Sequence, residues 1–258
     1  MNSVAFEIFG IPINWYGIII SMGILLAYWV GSKQSKFYDV DFEKVTDIFI
    51  VALPVAILCA RLYYVIFEWS SYKDTPSEIL NIRGGGLAIH GGILGATFVV
   101  YIMAKMKKIE FGKLLDIAAP CFLLGQSIGR WGNFFNSEAH GGPVSKEFIS
   151  RFPEFIQRGM YIRGTYYHPT FLYESIWNLC MFAFLMVLSR KKQLAKGSIF
   201  YLYMIVYSIG RFFIEGLRTD SLMMGSLRTA QVISIVFIVF GILLLIYSNR
   251  NIRETHSI

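Results

Sequence analysis

Cysteine is scarce in this chain: Cys59, Cys121 and Cys180 are its three among 258 residues, each isolated inside an apolar run. That spacing excludes a disulfide framework and a thiolate metal site. Packing is their expected role, and any thiol in the chemistry is expected to come from a substrate. No clustered acidic ligands are present for a metal, so no metal or cofactor is expected. Internal repeats are missing too, as is any pair of similar interrupted apolar segments, which counts against a secondary transporter. There is no low-complexity stretch. Nothing basic precedes the first apolar run and no small-x-small site follows it, so it is expected to stay as a span rather than be cleaved as a signal peptide.

What the chain has in abundance is apolar surface. Residues of that kind make up 55% of the sequence, and the mean hydropathy is +0.53. Both values fit an integral membrane protein. Seven runs reach the length a helix needs to span a bilayer: roughly 13–31, 47–68, 86–106, 114–134, 170–189, 197–215 and 230–248. The expected fold is an all-α bundle of about seven transmembrane helices, read as one domain over 1–258. Three outer segments remain, and the largest, 135–168, is punctuated by Gly141, Gly142, Pro143 and Pro153. It reads as a small folded exoplasmic insertion.

The net charge of +7 is mostly a topology signal. Lys33, Lys36 and Lys44 follow the first run, and Lys105, Lys107, Lys108 and Lys113 the third. Arg190, Lys191, Lys192 and Lys196 follow the fifth, and Arg250 and Arg253 the seventh. These are 13 of the 24 basic residues, all on one side. The positive-inside rule makes that side cytoplasmic, with the N-terminus outside and the C-terminus inside. Nucleic-acid binding is a poor reading of the excess.

Several polar residues fall at one depth. Arg130 lies 16 residues beyond Leu114, and Arg211 lies 14 beyond Gly197. Those separations correspond to about 24 Å and about 21 Å along a helix, in the outer part of the bilayer. Arg61 sits at a similar height, His90 about 6 Å below Gly86, and Tyr16 at the outer start of the first run. Charges inside a bilayer are costly and generally have a partner or a task. Gln126, Arg130 and Asn133 form one stripe at i, i+4, i+7, while Tyr207, Arg211 and Glu215 form another at i, i+4, i+8. Glu215 could simply hold Arg211 in a structural ion pair, but two such stripes favour an anion site. Arg61 reads equally as a snorkelling arginine beside Glu68, and Asp116 as a structural or capping acid.

"RGGGLAIHGG", residues 83–92, adds glycines that let backbone approach a ligand, although glycines also pack membrane helices. His90 within it is expected to be buried and neutral, which suits a base. Two guanidiniums for phosphate, a neutral imidazole and surrounding hydrocarbon describe a site for an anionic lipid head group. A lipid transporter or flippase, and a purely structural membrane protein, are the competing readings.

"GQSIGRWGNFFNSEAHGGP", from Gly125, resembles the signature of the bacterial prolipoprotein diacylglyceryl transferases. The resemblance continues through "WYGI", "RGGGLAIHGG", "HPTFLYES" and "YSIGRFFIEGLRTD", in order over nearly the whole chain. It implies a seven-span enzyme of the bacterial plasma membrane with phosphatidylglycerol, a preprolipoprotein lipobox peptide and membrane lipids as partners. The diacylglyceryl group would pass to the lipobox cysteine as a thioether, and glycerol phosphate would leave. By position the resemblance implies catalytic roles for His90, Arg130 and Arg211. Tyr207 and Glu215 would flank Arg211, and Asn133 and Glu138 match further functional positions; Tyr16 and Arg61 join them as expected substrate-binding residues. His90 would act as the base for the substrate thiol or orient the phosphate. A local difference from some relatives is Phe171, which stands in the histidine-proline motif where they carry a polar residue.

Overall fold

The computed structural model describes residues 3–82, 85–191, 194–219 and 221–255, with side chains to Arg250. Arg83, Gly84, Lys192, Asp220 and the Arg253 side chain, all within stretches singled out above, lie outside the described residues. Seven helices are long and apolar enough to cross a membrane. They are numbered here as spans one to seven: Trp15–Phe37, Phe42–Phe67, Ile89–Met106, Phe111–Phe135, Thr170–Leu188, Ser198–Glu215 and Thr229–Arg250. The chain forms two compact units, Ser35–Leu114 and the larger Met1–Gln34 with Leu115–Ile258.

In the smaller unit, spans two and three pack along each other. Gly91 and Gly95, one turn apart, make this possible. A Cβ at Gly91 would collide with the Cys59 carbonyl, and one at Gly95 would lie 2.6 Å from Cys59 Sγ. Small residues at such spacing let membrane helices approach closely. Asp41 caps span two by accepting from the Glu43 amide, so this helix starts before Lys44. At the basic end, Lys107 pairs with Asp47 at 2.6 Å beside a core of Ile48, Ala104 and Leu114. Span three begins only at Ile89, because Gly85 and Gly86 hold φ of +90° and +74°. The helix expected from position 86 therefore loses its first residues to a turn that only glycine adopts without strain.

The larger unit gathers parts of spans one and four with spans five, six and seven. Ala119, Leu123, Leu185 and Ile199 form a buried core shared by spans four, five and six. Asp116 of span four caps span six, accepting from the Gly197 amide at 2.7 Å and the Phe200 amide at 3.1 Å. That is the capping role open to it, and Gly197 takes the left-handed conformation the helix start requires.

The segment 135–168 is folded. It holds two short helices, Lys146–Ile149 and Glu154–Gly159, and a three-stranded antiparallel sheet with Thr165–Tyr167 in the centre. Pro143 pairs with Tyr167 and Tyr161 with Tyr166 across it. Its core of Ile149, Ile156 and Met160 packs on Phe134 and Phe171, so the end of span four and the start of span five are its floor. Phe171 stacks on Phe134 at 4.5 Å, which makes its apolar side chain a packing residue. Two hairpins complete the unit: Val4–Ile8 with Ile11–Asn14 before span one, and Met223–Met224 with Leu227–Arg228 before span seven. These small β elements were not legible from the apolar runs.

Candidate active site

Three contacts set the register of span five against its neighbours. Ser127 Oγ donates to the Ser175 carbonyl at 2.8 Å, and Trp131 Nε1 donates to Ser175 Oγ at 3.1 Å. Trp177 Nε1 donates to the Val206 carbonyl at 2.9 Å, its ring lying where a Cβ on Gly210 would collide with it. Glu174, one residue before Ser175, is thereby delivered to Arg130 on span four and Arg211 on span six.

The carboxylate bridges them. Arg130 Nη2 lies 2.8 Å from Glu174 Oε1, and Arg211 Nη1 lies 3.1 Å from Oε2. Arg211 also pairs with Glu215 Oε2 at 2.6 Å, the i, i+4 partner foreseen above. Glu215 is itself held by Ser221 Oγ at 2.6 Å and approached by Arg218 Nε at 3.9 Å, while Arg228 donates to its carbonyl. From Arg130 the network runs outward: Nη1 donates to Asn133 Oδ1 at 3.2 Å, and Asn133 Nδ2 to Glu138 Oε1 at 2.9 Å. Tyr207 stacks on Tyr203, which accepts from Gln126 at 3.0 Å. Tyr16 of span one packs against Gly132, in a space that a Cβ would contest at 2.8 Å.

Exposure decides what this network can do. The Glu174 and Glu215 side chains are 4% and 5% exposed, whereas those of Arg130 and Arg211 are 22% and 18%. The carboxylates are buried, and the two arginine side chains stay partly accessible. Buried charge is tolerable because it is paired, and removing one partner of such a pair costs about 3–5 kcal/mol. Arg130 and Arg211 share the Glu174 carboxylate, and Arg211 and Arg218 approach that of Glu215. The arrangement suits an anion with several acceptor oxygens, such as a phosphate ester.

Glu174 is the residue that sequence reasoning did not single out. Its signal was present: it is the only acidic residue in span five, and a lone acid within an apolar run needs a partner. The neighbouring His168, just outside that span, has Nδ1 3.3 Å from the Tyr173 hydroxyl. Burial lowers its pKa and favours the neutral ring.

Arg61 and His90 belong to the smaller unit, and two expectations change there. Arg61 is buried, and its guanidinium turns to backbone carbonyls instead of Glu68 or an open site. Nε donates to Ile79, Nη1 to Gly85 and Gly86, and Nη2 to Glu78, all at 2.6–2.9 Å. Tyr72 covers it at 5.0 Å. It holds the loop that leads into span three. His90 is exposed, not buried, because the helix starts at Ile89 and places it in the first turn; its ring lies 6.3 Å from that of Tyr63.

Comparison with known proteins gives the site a context. The family described as prolipoprotein diacylglyceryl transferase matches residues 3–247. A phosphatidylglycerol–prolipoprotein diacylglyceryl transferase of Clostridium novyi (strain NT) is 67% identical over 255 residues, 99% of both chains. One from Clostridium botulinum (strain Hall) is 55% identical, covering 94% of this chain and 95% of its own. Another from Bacillus cereus (strain B4264) is 51% identical, covering 97% and 93%. With its seven apolar helices and its matched length, the chain belongs to the prolipoprotein diacylglyceryl transferase family of multi-pass membrane proteins.

Proposed function

We propose that this protein transfers the diacylglyceryl group of phosphatidylglycerol to the lipobox cysteine thiol of preprolipoproteins, in the bacterial plasma membrane. The observation that carries the reading is the Arg130–Glu174–Arg211 bridge: two guanidiniums fixed by one buried carboxylate, on side chains that stay partly accessible. In the reaction a sulfur–carbon bond forms as the substrate thiolate attacks the glyceryl carbon. The carbon–oxygen bond to phosphate breaks, and glycerol phosphate leaves. Arg130 and Arg211 stabilise the charge that develops on the leaving phosphate. Glu174 and Glu215 keep the two planar donors aimed before the lipid arrives, so little reorganisation is needed at the moment of reaction.

The thiol, with an ordinary pKa near 8.5, must lose its proton to react well. His90 is the proposed base. Asn133, Glu138, Tyr207 and Tyr16 line the donor side in this reading, and Arg61 positions the loop before His90. The N-terminus lies outside and the C-terminus in the cytoplasm, which puts the network in the outer leaflet.

Purified protein given phosphatidylglycerol and a lipobox peptide should raise the peptide mass by one diacylglyceryl group. Lipid movement without that gain would make the protein a transporter. Within the reaction, His90→Gln should lower turnover while donor binding survives; near-normal transfer by that variant across neutral pH would remove the base role.

A further inference from the structure

The two hairpins share a construction that the transfer reaction leaves unexplained. Each immediately precedes a span, and each is tied back to that span's first residue. The Trp15 amide donates to the Ser3 carbonyl and the Thr229 amide to the Leu222 carbonyl, both at 2.9 Å. Both turn through a glycine in the left-handed region, Gly10 and Gly225. Both present apolar side chains with no cover: Phe6, Ile8, Phe9 and Ile11 on the first, Leu222, Met223, Met224 and Leu227 on the second. Phe9 is fully exposed and Leu222 is 80% exposed. On the first hairpin Ile8 pairs with Ile11 and Phe6 with Ile13, so these residues share one face, while Glu7 opposite Pro12 points the other way.

We infer that both hairpins lie in the outer boundary between head groups and acyl chains, and that the second couples this lipid surface to the arginine network. Chain continuity names the occupant. Met224 stands five residues before Thr229, so it stays within about 17 Å of the point where span seven enters the bilayer. The bond at Leu222 folds it closer still. Its exposed side chains continue the lipid-facing surface of that span, where Ile233, Val236 and Phe237 are also exposed. Apolar surface of this kind partitions into the interface, and flexible methionines adapt to irregular acyl packing.

The second hairpin is clasped to the site from both ends. Ser221, just before it, donates to Glu215 Oε1, and Arg228, its last residue, donates to the Glu215 carbonyl. Glu215 in turn holds Arg211. A hairpin seated on lipid therefore fixes the height of Glu215, and with it the aim of Arg211, relative to the plane in which phosphates lie. This coupling rests on the phosphate role proposed for Arg211; the depth of the hairpins does not.

The test uses full-length protein in nanodiscs containing phosphatidylglycerol. Spin labels go at Phe9→Cys, Met224→Cys and, as a solvent-facing control, Glu147→Cys, in a background with Cys59, Cys121 and Cys180 replaced by Ala. Accessibility to oxygen and to a nickel chelate reads depth. Labels at positions 9 and 224 should favour oxygen, and the label at 147 should favour nickel. Nickel access at 224 equal to that at 147 would overturn the lipid assignment. So would nickel access that falls only on adding a lipobox peptide, which would make the patch a peptide surface. For the coupling, Met223→Glu with Met224→Glu should lower kcat/KM for phosphatidylglycerol about tenfold, with a fall in kcat, because Arg211 acts on the developing phosphate charge. Ser221→Ala should reproduce part of that loss without altering the depth of the label at 224. An unchanged kcat/KM in both variants would leave two lipid-seated hairpins and remove the coupling.

Discussion

Arg61 and Arg130 are both arginines held in membrane-spanning helices, yet the protein neutralises them by different means. Arg61 gives its donors to four backbone carbonyls and lies 5% exposed. Arg130 gives one side of its fork to a carboxylate and keeps 22% of its side chain accessible. Carbonyl dipoles absorb donors without offsetting the whole charge, but they also fill the hydrogen-bonding fork. A single carboxylate offsets the charge through one side of the fork, and the other side reaches the Asn133 side chain. The first arrangement builds a loop, and in the proposed reading the second prepares a binding surface, although composition and depth make the two residues look alike.

The strongest way to break this comparison is Arg130→Ala. Transfer rate per folded enzyme should fall by more than about a hundredfold, because the phosphate would lie unpaired in a low-dielectric site. A folded variant with wild-type rate would make Arg130 as structural as Arg61. Glu174→Gln comes next. It leaves Arg130 and Arg211 without their shared carboxylate, and stability should drop by about 3–5 kcal/mol. Inorganic phosphate should restore more of the melting temperature in this variant than in the wild type; equal responses would count against an anion at the bridge.

Arg130→Lys keeps the charge but loses the planar fork. The expected cost is about 1.5–3 kcal/mol, seen as a roughly ten- to hundredfold lower rate with near-normal melting. Arg61→Lys sharpens the contrast from the other side. Lysine has fewer donors for four carbonyls, so limited proteolysis should cut 69–86 faster, while the KM for phosphatidylglycerol stays within about twofold. A large KM change with an intact loop would return Arg61 to the substrate.

Length and hydropathy made the seven spans legible, because a bilayer imposes both on any helix that crosses it. Their ends were less so. Span one continues through Lys33 and Lys36 to Phe37, and span two starts at Phe42 under its Asp41 cap, since capping and backbone bonding outlast the apolar run. The stripes containing Arg130 and Arg211 pointed to helix faces that do meet, but a stripe cannot name the partner on a third helix. Glu174 needed the Ser127–Ser175 and Trp177–Val206 contacts to come into view. The glycines of "RGGGLAIHGG" were read as one feature and divide into two: Gly85 and Gly86 turn the chain, while Gly91 packs against Cys59. That division moves the helix start and leaves His90 exposed.

The Asp116 cap has a consequence for how the chain is assembled. Span six starts with backbone amides that a carboxylate 81 positions upstream accepts. The acceptor therefore leaves the ribosome long before the helix that needs it, and no later span has to arrive first. Synthesis in the natural order meets a waiting cap, whereas a circular permutant that made span six before span four would leave those amides without their acceptor during insertion.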